Sequence, residues 1–315
     1  MRDGFFKAVE DLSEERDNIY ILTADLGFGL FDKFRNKYPE RFYDIGVAEA
    51  NMIGIASGLA LSGKNVYCYS IIPFLVMRAF EQIRIDIAYQ NLNVKLIGAG
   101  GGFTYGLEGF THFALEDLAL MRVLPNMTVV VPCDYFEAQE FARLSYDYNS
   151  PIYIRLGRNN EPNIHQQKPN IKIGEGLILT QGNDLAIFSI GSMISVALDI
   201  HDILGKHGLW ASVVNMHTLK PLDEKLIKRY SEKYKAIFTI EEHYISGGLG
   251  SAVAEDLAEN SYSGIFKRFG IPLNPKKTIG NAEFRRNFYG LNAKNISDDI
   301  LKVIENKNTK YGNFA

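Results

Sequence analysis

The chain has 315 residues, 46% of them hydrophobic and 23% charged, with 34 Lys+Arg against 37 Asp+Glu for a formal charge of −3. These are the values of an ordinary globular protein, long enough for about two domains. They exclude a disordered chain, a collagen-like repeat and a disulfide-rich scaffold. The near-neutral balance argues against nucleic acid as a partner, because a dedicated binder needs a basic face to displace counterions.

Short β-branched runs come first in chain order and recur at Ile19–Ala24, Phe42–Val47, Asn65–Ser70, Val94–Ala99, Thr128–Pro132 and Ile152–Arg155. Between them, Glu49–Leu61, Met77–Tyr89 and Tyr135–Ser145 carry helical spacing. Apolar strands separated by helices predict a parallel sheet covered on both faces. The polar, proline-containing stretch Asn159–Lys172 reads as a linker. The alternation then resumes with strands at Leu185–Ile190, Ala211–Asn215 and Ala236–Ile240, and helices at Ile194–Leu204 and Leu249–Asn260. The expectation is two α/β domains, 1–160 and 173–315, with residues 161–172 as linker and a frayed tail from Glu305. Cys68 and Cys133 lie in apolar strand-like runs and read as buried free thiols; no spacing of His and Cys predicts a metal site. The amphipathic N-terminus is no signal peptide, and the apolar stretch Asp184–Ile200 is broken by glycine and serines, so the expected location is cytoplasmic, with no membrane span.

Three segments could carry chemistry. Glu49 opens a helix after a strand and a glycine, where a carboxylate also serves the helix dipole. That helix is rich in small residues between Ala50 and Ala60, with Gly54 and Gly58 inside it. Each interior glycine costs about 1 kcal/mol relative to alanine, which points to a close neighbour: a subunit or domain contact, or tight packing on its own sheet. Gly100–Arg122 begins with three glycines, leaving amides accessible to an anion, and sets His112 four residues after Glu108. Glu241–Gly250 places two glutamates and a histidine after a strand, where α/β sheets bind ligands and where a structural loop is equally at home.

Taken in order, TADL at Thr23–Leu26, RFYDIGVAEANMIGIASGLA at Arg41–Ala60, GLEGFTH at Gly106–His112, EDLALMRVLPNMTVVVPCD at Glu116–Asp134, RLGR at Arg155–Arg158 and EEHYISGGLGSAVAE at Glu241–Glu255 resemble the C-terminal half of transketolase. More widely they are similar to the pyrimidine-binding and C-terminal domains of thiamine-diphosphate enzymes, including deoxyxylulose-phosphate synthase and the beta subunits of 2-oxoacid dehydrogenases. The resemblance implies a parallel-sheet pyrimidine-binding domain followed by a transketolase-type C-terminal domain. It also implies two-carbon ketol transfer between sugar-like substrates, with thiamine diphosphate and Mg²⁺ as cofactors. Glu49 becomes the cofactor-activating acid, a proton-bearing carboxyl that donates to the aminopyrimidine ring nitrogen. Ile72 and Arg78 map to the pyrimidine pocket. Leu75 maps to the stacking aromatic, with Phe74 beside it as a substitute. His112 maps to a proton-transfer group near the reacting carbons, and Glu108 to a carboxylate facing substrate hydroxyls. Arg158 maps to a phosphate anchor, and Arg2 to another. Two family anchors, a serine and a histidine, are replaced by Gly29 and Gly100, so the resemblance implies a substrate other than an ordinary pentose phosphate. No GDG tripeptide occurs in the chain. The resemblance therefore implies a split enzyme: an N-terminal partner subunit with the GDG motif holds the diphosphate and Mg²⁺, this chain binds no metal, and the assembly is α₂β₂. The alternatives are a synthase-like or 2-oxoacid-dehydrogenase-like subunit, or a non-catalytic subunit that keeps the fold.

Overall fold

A computed structural model describes residues 1–158 and 161–311, the last five as backbone only. The strands form two sheets. The first joins β1 (Ile19–Thr23), β2 (Phe42–Asp44), β3 (Asn65–Ile71), β4 (Val94–Ala99), β5 (Thr128–Val130) and β6 (Ile152–Leu156). The second joins β7 (Leu177–Thr180), β8 (Leu185–Ser189), β9 (Ala211–Asn215), β11 (Ala236–Tyr244) and β12 (Ile265–Ile271). β10 (Thr218–Lys220) leaves the second half of the chain and adds to the first sheet, antiparallel to β5. The strand orders are β10-β5-β6-β4-β3-β1-β2 and β12-β11-β8-β9-β7, all pairs parallel except β10–β5 and β7–β9.

The central strands of the first sheet are covered on both faces. β3, β4 and β6 are buried along almost their whole length, which is what continuous apolar strands require. One apolar cluster runs from Met52, Leu75 and Val94 through Val131 to Phe188, Val214 and Leu257, so the two halves share a core. Asp134 accepts from the Glu137 amide at 2.8 Å and starts the helix Tyr135–Asp147, against which the N-terminal helix Arg2–Glu15 packs.

The boundaries differ from expectation in three places. The second half does not fold wholly apart, because β10 completes the first sheet. Stretch 161–172 has no helix or strand but is tied down: the Met1 ammonium pairs with Glu161 at 3.0 Å, and the Ile164 and His165 amides donate to Asp134 Oδ2 at 2.9 and 2.7 Å; Asn159 and Asn160 lie outside the described residues. The tail from Glu305 continues the helix Ala293–Tyr311 rather than fraying at its start, and residues 312–315 lie outside the described residues. Cys68 and Cys133 are both buried free thiols. Among the described residues no helix is long and apolar enough to cross a membrane.

Candidate active site

The C-terminal ends of β1, β2, β3, β4 and β6 lie together, because these strands are parallel neighbours. Loops leaving that edge converge, which makes it the favoured place for a ligand in such sheets. Asp44, at the end of β2, accepts from the amides of Asp25 (2.8 Å) and Gly46 (3.0 Å). Gly46 has φ +72°, a turn that L side chains resist. That turn delivers the chain into the helix Glu49–Leu61 with Glu49 in its first turn.

Glu49 is 1% exposed. Its Oε1 accepts from Ser70 Oγ at 3.2 Å and its Oε2 from Arg78 Nη1 at 2.7 Å. Ser70 is enclosed at the end of β3, whereas the Arg78 side chain is 45% exposed. Arg78 also lies over the Phe74 ring, 4.7 Å from its centroid. Phe74 meets the His112 ring edge-on at 5.2 Å, and His112 meets Tyr105 at 6.1 Å. Arg158 lies 5.6 Å from the Tyr105 ring centre. A continuous line of groups thus runs from the buried carboxyl to an exposed guanidinium.

Tyr105 gathers the remaining charges. Burial pushes its phenol pKa up, Arg158 and Arg2 oppose that, and Glu108 adds to it. Partial burial works against the Arg2 charge, but the neighbouring Tyr69 and Asp3 outweigh it and leave its pKa raised. Arg2, Glu108, His112 and Arg158 therefore surround one tyrosine that sequence reasoning passed over. Gly100 is the reason it fits. At φ +92° a Cβ there would overlap the Tyr105 ring, so the ring takes the space that a longer side chain at position 100 would fill.

Two expected pocket residues are placed elsewhere. Ile72 and Leu75 are fully enclosed among core residues and present no surface to a ligand. Along Pro73–Arg78, wound as a π-helix, Phe74 and Arg78 stand on the open side, while Leu75 and Val76, with Ala79 after them, face inward. The aromatic ring on the site is Phe74. The triple glycine also differs from expectation. Its amides are not offered to an anion: those of Gly100 and Gly101 donate to the Leu156 carbonyl (2.9 and 3.1 Å), and that of Gly102 to Ala114 O (3.0 Å). Gly101 and Gly102 are small because Arg155 and Glu242 press against them. The small-residue helix does not pack its glycines on its own sheet. Met52, Ile53 and Ala56 form its buried side, while Gly54 and Gly58 are exposed with nothing within 4 Å of an added Cβ.

Glu241–Gly250 resolves as scaffold. Glu241 accepts from the Leu249 and Gly250 amides, both at 2.8 Å, at the start of the helix Leu249–Glu259. Glu242, 2% exposed, is held by Arg286 at 2.8 Å through both oxygens and by Ser192 at 3.1 Å. Burial alone would raise the Glu242 pKa, but the Arg286 charge overcomes it, and the value is lowered.

Arg285 is the second residue that sequence reasoning missed. It is 3% exposed. Nε and Nη2 both donate to Gly106 O (3.2 and 3.1 Å), Nε also to Gly280 O (3.1 Å), Nη2 to Thr278 O (2.6 Å) and Nη1 to Thr278 Oγ1 (2.9 Å). Its guanidinium lies 4.3 Å from the Phe113 ring centre. Gly106 and Phe113 bracket the loop that carries Glu108 and His112, so one buried cation from the C-terminal half grips both ends of it. Nothing local in the sequence signals a contact across 179 positions.

A family model described as "Transketolase, pyrimidine binding domain" matches residues 1–163, and one described as "Transketolase, C-terminal domain" matches residues 174–296. A "Putative transketolase C-terminal section" from Methanocaldococcus jannaschii is 38% identical over 97% of this chain and 96% of its own length. A "6-deoxy-6-sulfo-D-fructose transketolase subunit" from a Clostridium species is 35% identical over 98% and 95%. A solved structure described as "Split gene transketolase, inactive beta4 tetramer" is 36% identical, covers 96% of this chain and 97% of that one, and superposes with a TM-score of 0.86. The chain belongs to the transketolase family and carries its pyrimidine-binding and C-terminal domains.

Proposed function

We propose that the chain is the catalytic C-terminal subunit of a split thiamine-diphosphate-dependent transketolase. The observation that carries this reading is the buried Glu49 carboxyl beside Arg78 and the Phe74 ring. That donor set suits an aminopyrimidine: a carboxyl for the ring nitrogen and an aromatic side chain against its apolar surface. Bound there, the cofactor supplies a nucleophilic carbon that accepts and releases the two-carbon unit.

The chain's own residues do the rest. Both Glu49 oxygens already accept hydrogen bonds, so donation to a ring nitrogen requires one partner to leave. Arg78, with its side chain 45% exposed, is the one with room to move. Ser70 keeps Oε1 oriented. Phe74 takes the stacking role that Leu75 cannot. His112, between Phe74 and Tyr105, moves a proton at a substrate oxygen. Glu108 accepts from substrate hydroxyls. Arg158 and Arg2 face the Tyr105 end of the line and suit an anionic substrate terminus.

The diphosphate and Mg²⁺ belong, in this reading, to an N-terminal partner with a GDG motif, and the outward Gly54–Gly58 face of the helix, flanked by Val47 and Leu61 (68% and 65% exposed), lies at a subunit contact of an α₂β₂ assembly in the cytoplasm. The test mixes this chain with such a partner, thiamine diphosphate, Mg²⁺ and a ketose donor, and follows transfer of a two-carbon unit to an aldose. Transfer supports the proposal. Decarboxylation of a 2-oxoacid without ketose turnover overturns it in favour of a dehydrogenase-type subunit.

A further inference from the structure

A second cluster lies away from the site, where the two halves of the chain meet. Cys133 follows β5, Glu137 is in the first turn of the next helix, and His165 comes from the stretch between the halves. Cys133 and Glu137 are buried and the His165 side chain is 13% exposed. One ligand atom from each lies within 4.8 Å of the others. His165 Nε2 is 3.9 Å from Cys133 Sγ and 3.1 Å from Glu137 Oε1. Tetrahedral zinc, with bonds of about 2.3 Å to sulfur and about 2.0 Å to nitrogen and oxygen, needs S···N and N···O edges of about 3.6 and 3.3 Å. Shifts of a few tenths of an ångström close the polyhedron.

Three further features favour a cation there. Two fully buried carboxylates, Asp134 and Glu137, stand together, and His165 is the one positive partner with which either forms an ion pair among the described residues. Glu137 is already oriented, accepting from Asn215 Nδ2 at 2.6 Å and the Cys133 amide at 2.8 Å. His217 is completely buried with Nε2 unpartnered, and its carbonyl accepts from the Val131 amide at 2.8 Å, two residues before Cys133. Buried polar atoms without partners are rare in folded proteins, and a water or an ion often supplies the missing contact.

We propose that Cys133, Glu137 and His165 form a zinc site that pins stretch 161–172 to the β5 side of the first sheet, with a metal-bound water as the fourth ligand. Loading displaces the thiol proton of Cys133 and the Nε2 proton of His165 to solvent, leaving a thiolate and a neutral imidazole as ligands. The thiolate–imidazole–carboxylate set selects Zn²⁺ or Co²⁺ over Mg²⁺, so the site is chemically separate from any diphosphate-bound Mg²⁺.

The test uses the full chain, purified without chelator, with metal content measured by plasma mass spectrometry. The chelator-stripped chain is then titrated with Co²⁺ and its absorption recorded. The expected result is one zinc per chain and a sulfur-to-cobalt charge-transfer band that saturates at one equivalent. The band persists in Cys68→Ser and disappears in Cys133→Ser, and His165→Gln weakens Co²⁺ binding at least roughly tenfold. Substoichiometric zinc with no thiolate band in the wild-type chain at excess Co²⁺ overturns the proposal without recourse to any variant. A band that survives in Cys133→Ser overturns it too.

Discussion

Replacing Arg285 with methionine keeps most of the buried apolar stem and removes the fork. Three carbonyl oxygens, Gly106 O, Gly280 O and Thr278 O, and the Thr278 hydroxyl then lose their donor. An unsatisfied buried carbonyl costs about 1–3 kcal/mol; Gly106 O is the buried one and the other two are part-exposed, so the loss costs up to about 3 kcal/mol. The protein can recover that energy locally by letting the loop that begins at Gly106 lift into water. Glu108 and His112 ride on that loop, so under the proposed function the cost falls on catalysis. At about 1.4 kcal/mol per factor of ten, that corresponds to a loss of up to roughly a hundredfold in kcat/KM. The assay is steady-state ketol transfer by the assembled enzyme, with hydrogen exchange of the amides of residues 106–113. Exchange should rise there and not in β3 or β4. Arg285→Lys restores charge without the fork, and should recover only part of the activity. Wild-type kcat/KM with unchanged exchange in Arg285→Met would refute the clamp.

Two other perturbations probe the scaffold. Gly100→Ala puts a Cβ at positive φ against the Tyr105 ring; the strain costs about 1–3 kcal/mol, and KM for an anionic substrate should rise more than kcat falls, whereas equal stability and kinetics would contradict the crowding. Lys95 is completely buried, its Nζ donates to Asn93 Oδ1 and Tyr148 O, and burial depresses its pKa to about 7. The unfolded chain therefore binds more protons than the native one between about pH 7 and the ordinary lysine range near 10.4, so wild-type stability should climb with pH across that window. In chemical denaturation, Lys95→Met should flatten the climb; an unchanged slope would show that Lys95 does not titrate there.

Much of the architecture was readable because burial on both faces writes itself as unbroken β-branched runs. β1, β3, β4, β6, β8 and β9 all announced themselves this way. The strands that escaped, β7, β10 and β12, are three of the four edge strands; the fourth, β2, was read from the run Phe42–Val47. β12 carries Lys267 and Arg268 within its seven residues because an edge needs apolar side chains on only part of its surface, and β10 has only three residues. Glu49 was readable because a turn, a glycine and a helix start leave a local trace. Phe74 was readable only as a substitute for Leu75, because nothing in the letters Pro73–Arg78 declares which of the two neighbours faces the open side. The grip of Arg285 on Gly106 and the Cys133–Glu137–His165 cluster were hidden for another reason. Each joins residues that only the packing of the two halves brings together, beyond the reach of spacing rules.

The most direct measurement compares wild-type chain with Glu49→Gln and Glu49→Ala, each combined with the N-terminal partner, thiamine diphosphate and Mg²⁺, and followed by both cofactor hydrogen–deuterium exchange and two-carbon transfer. The account predicts assembly and thermal unfolding close to wild type, with exchange at the thiazolium carbon and transfer both falling to background. Undiminished exchange and transfer in Glu49→Ala would contradict it.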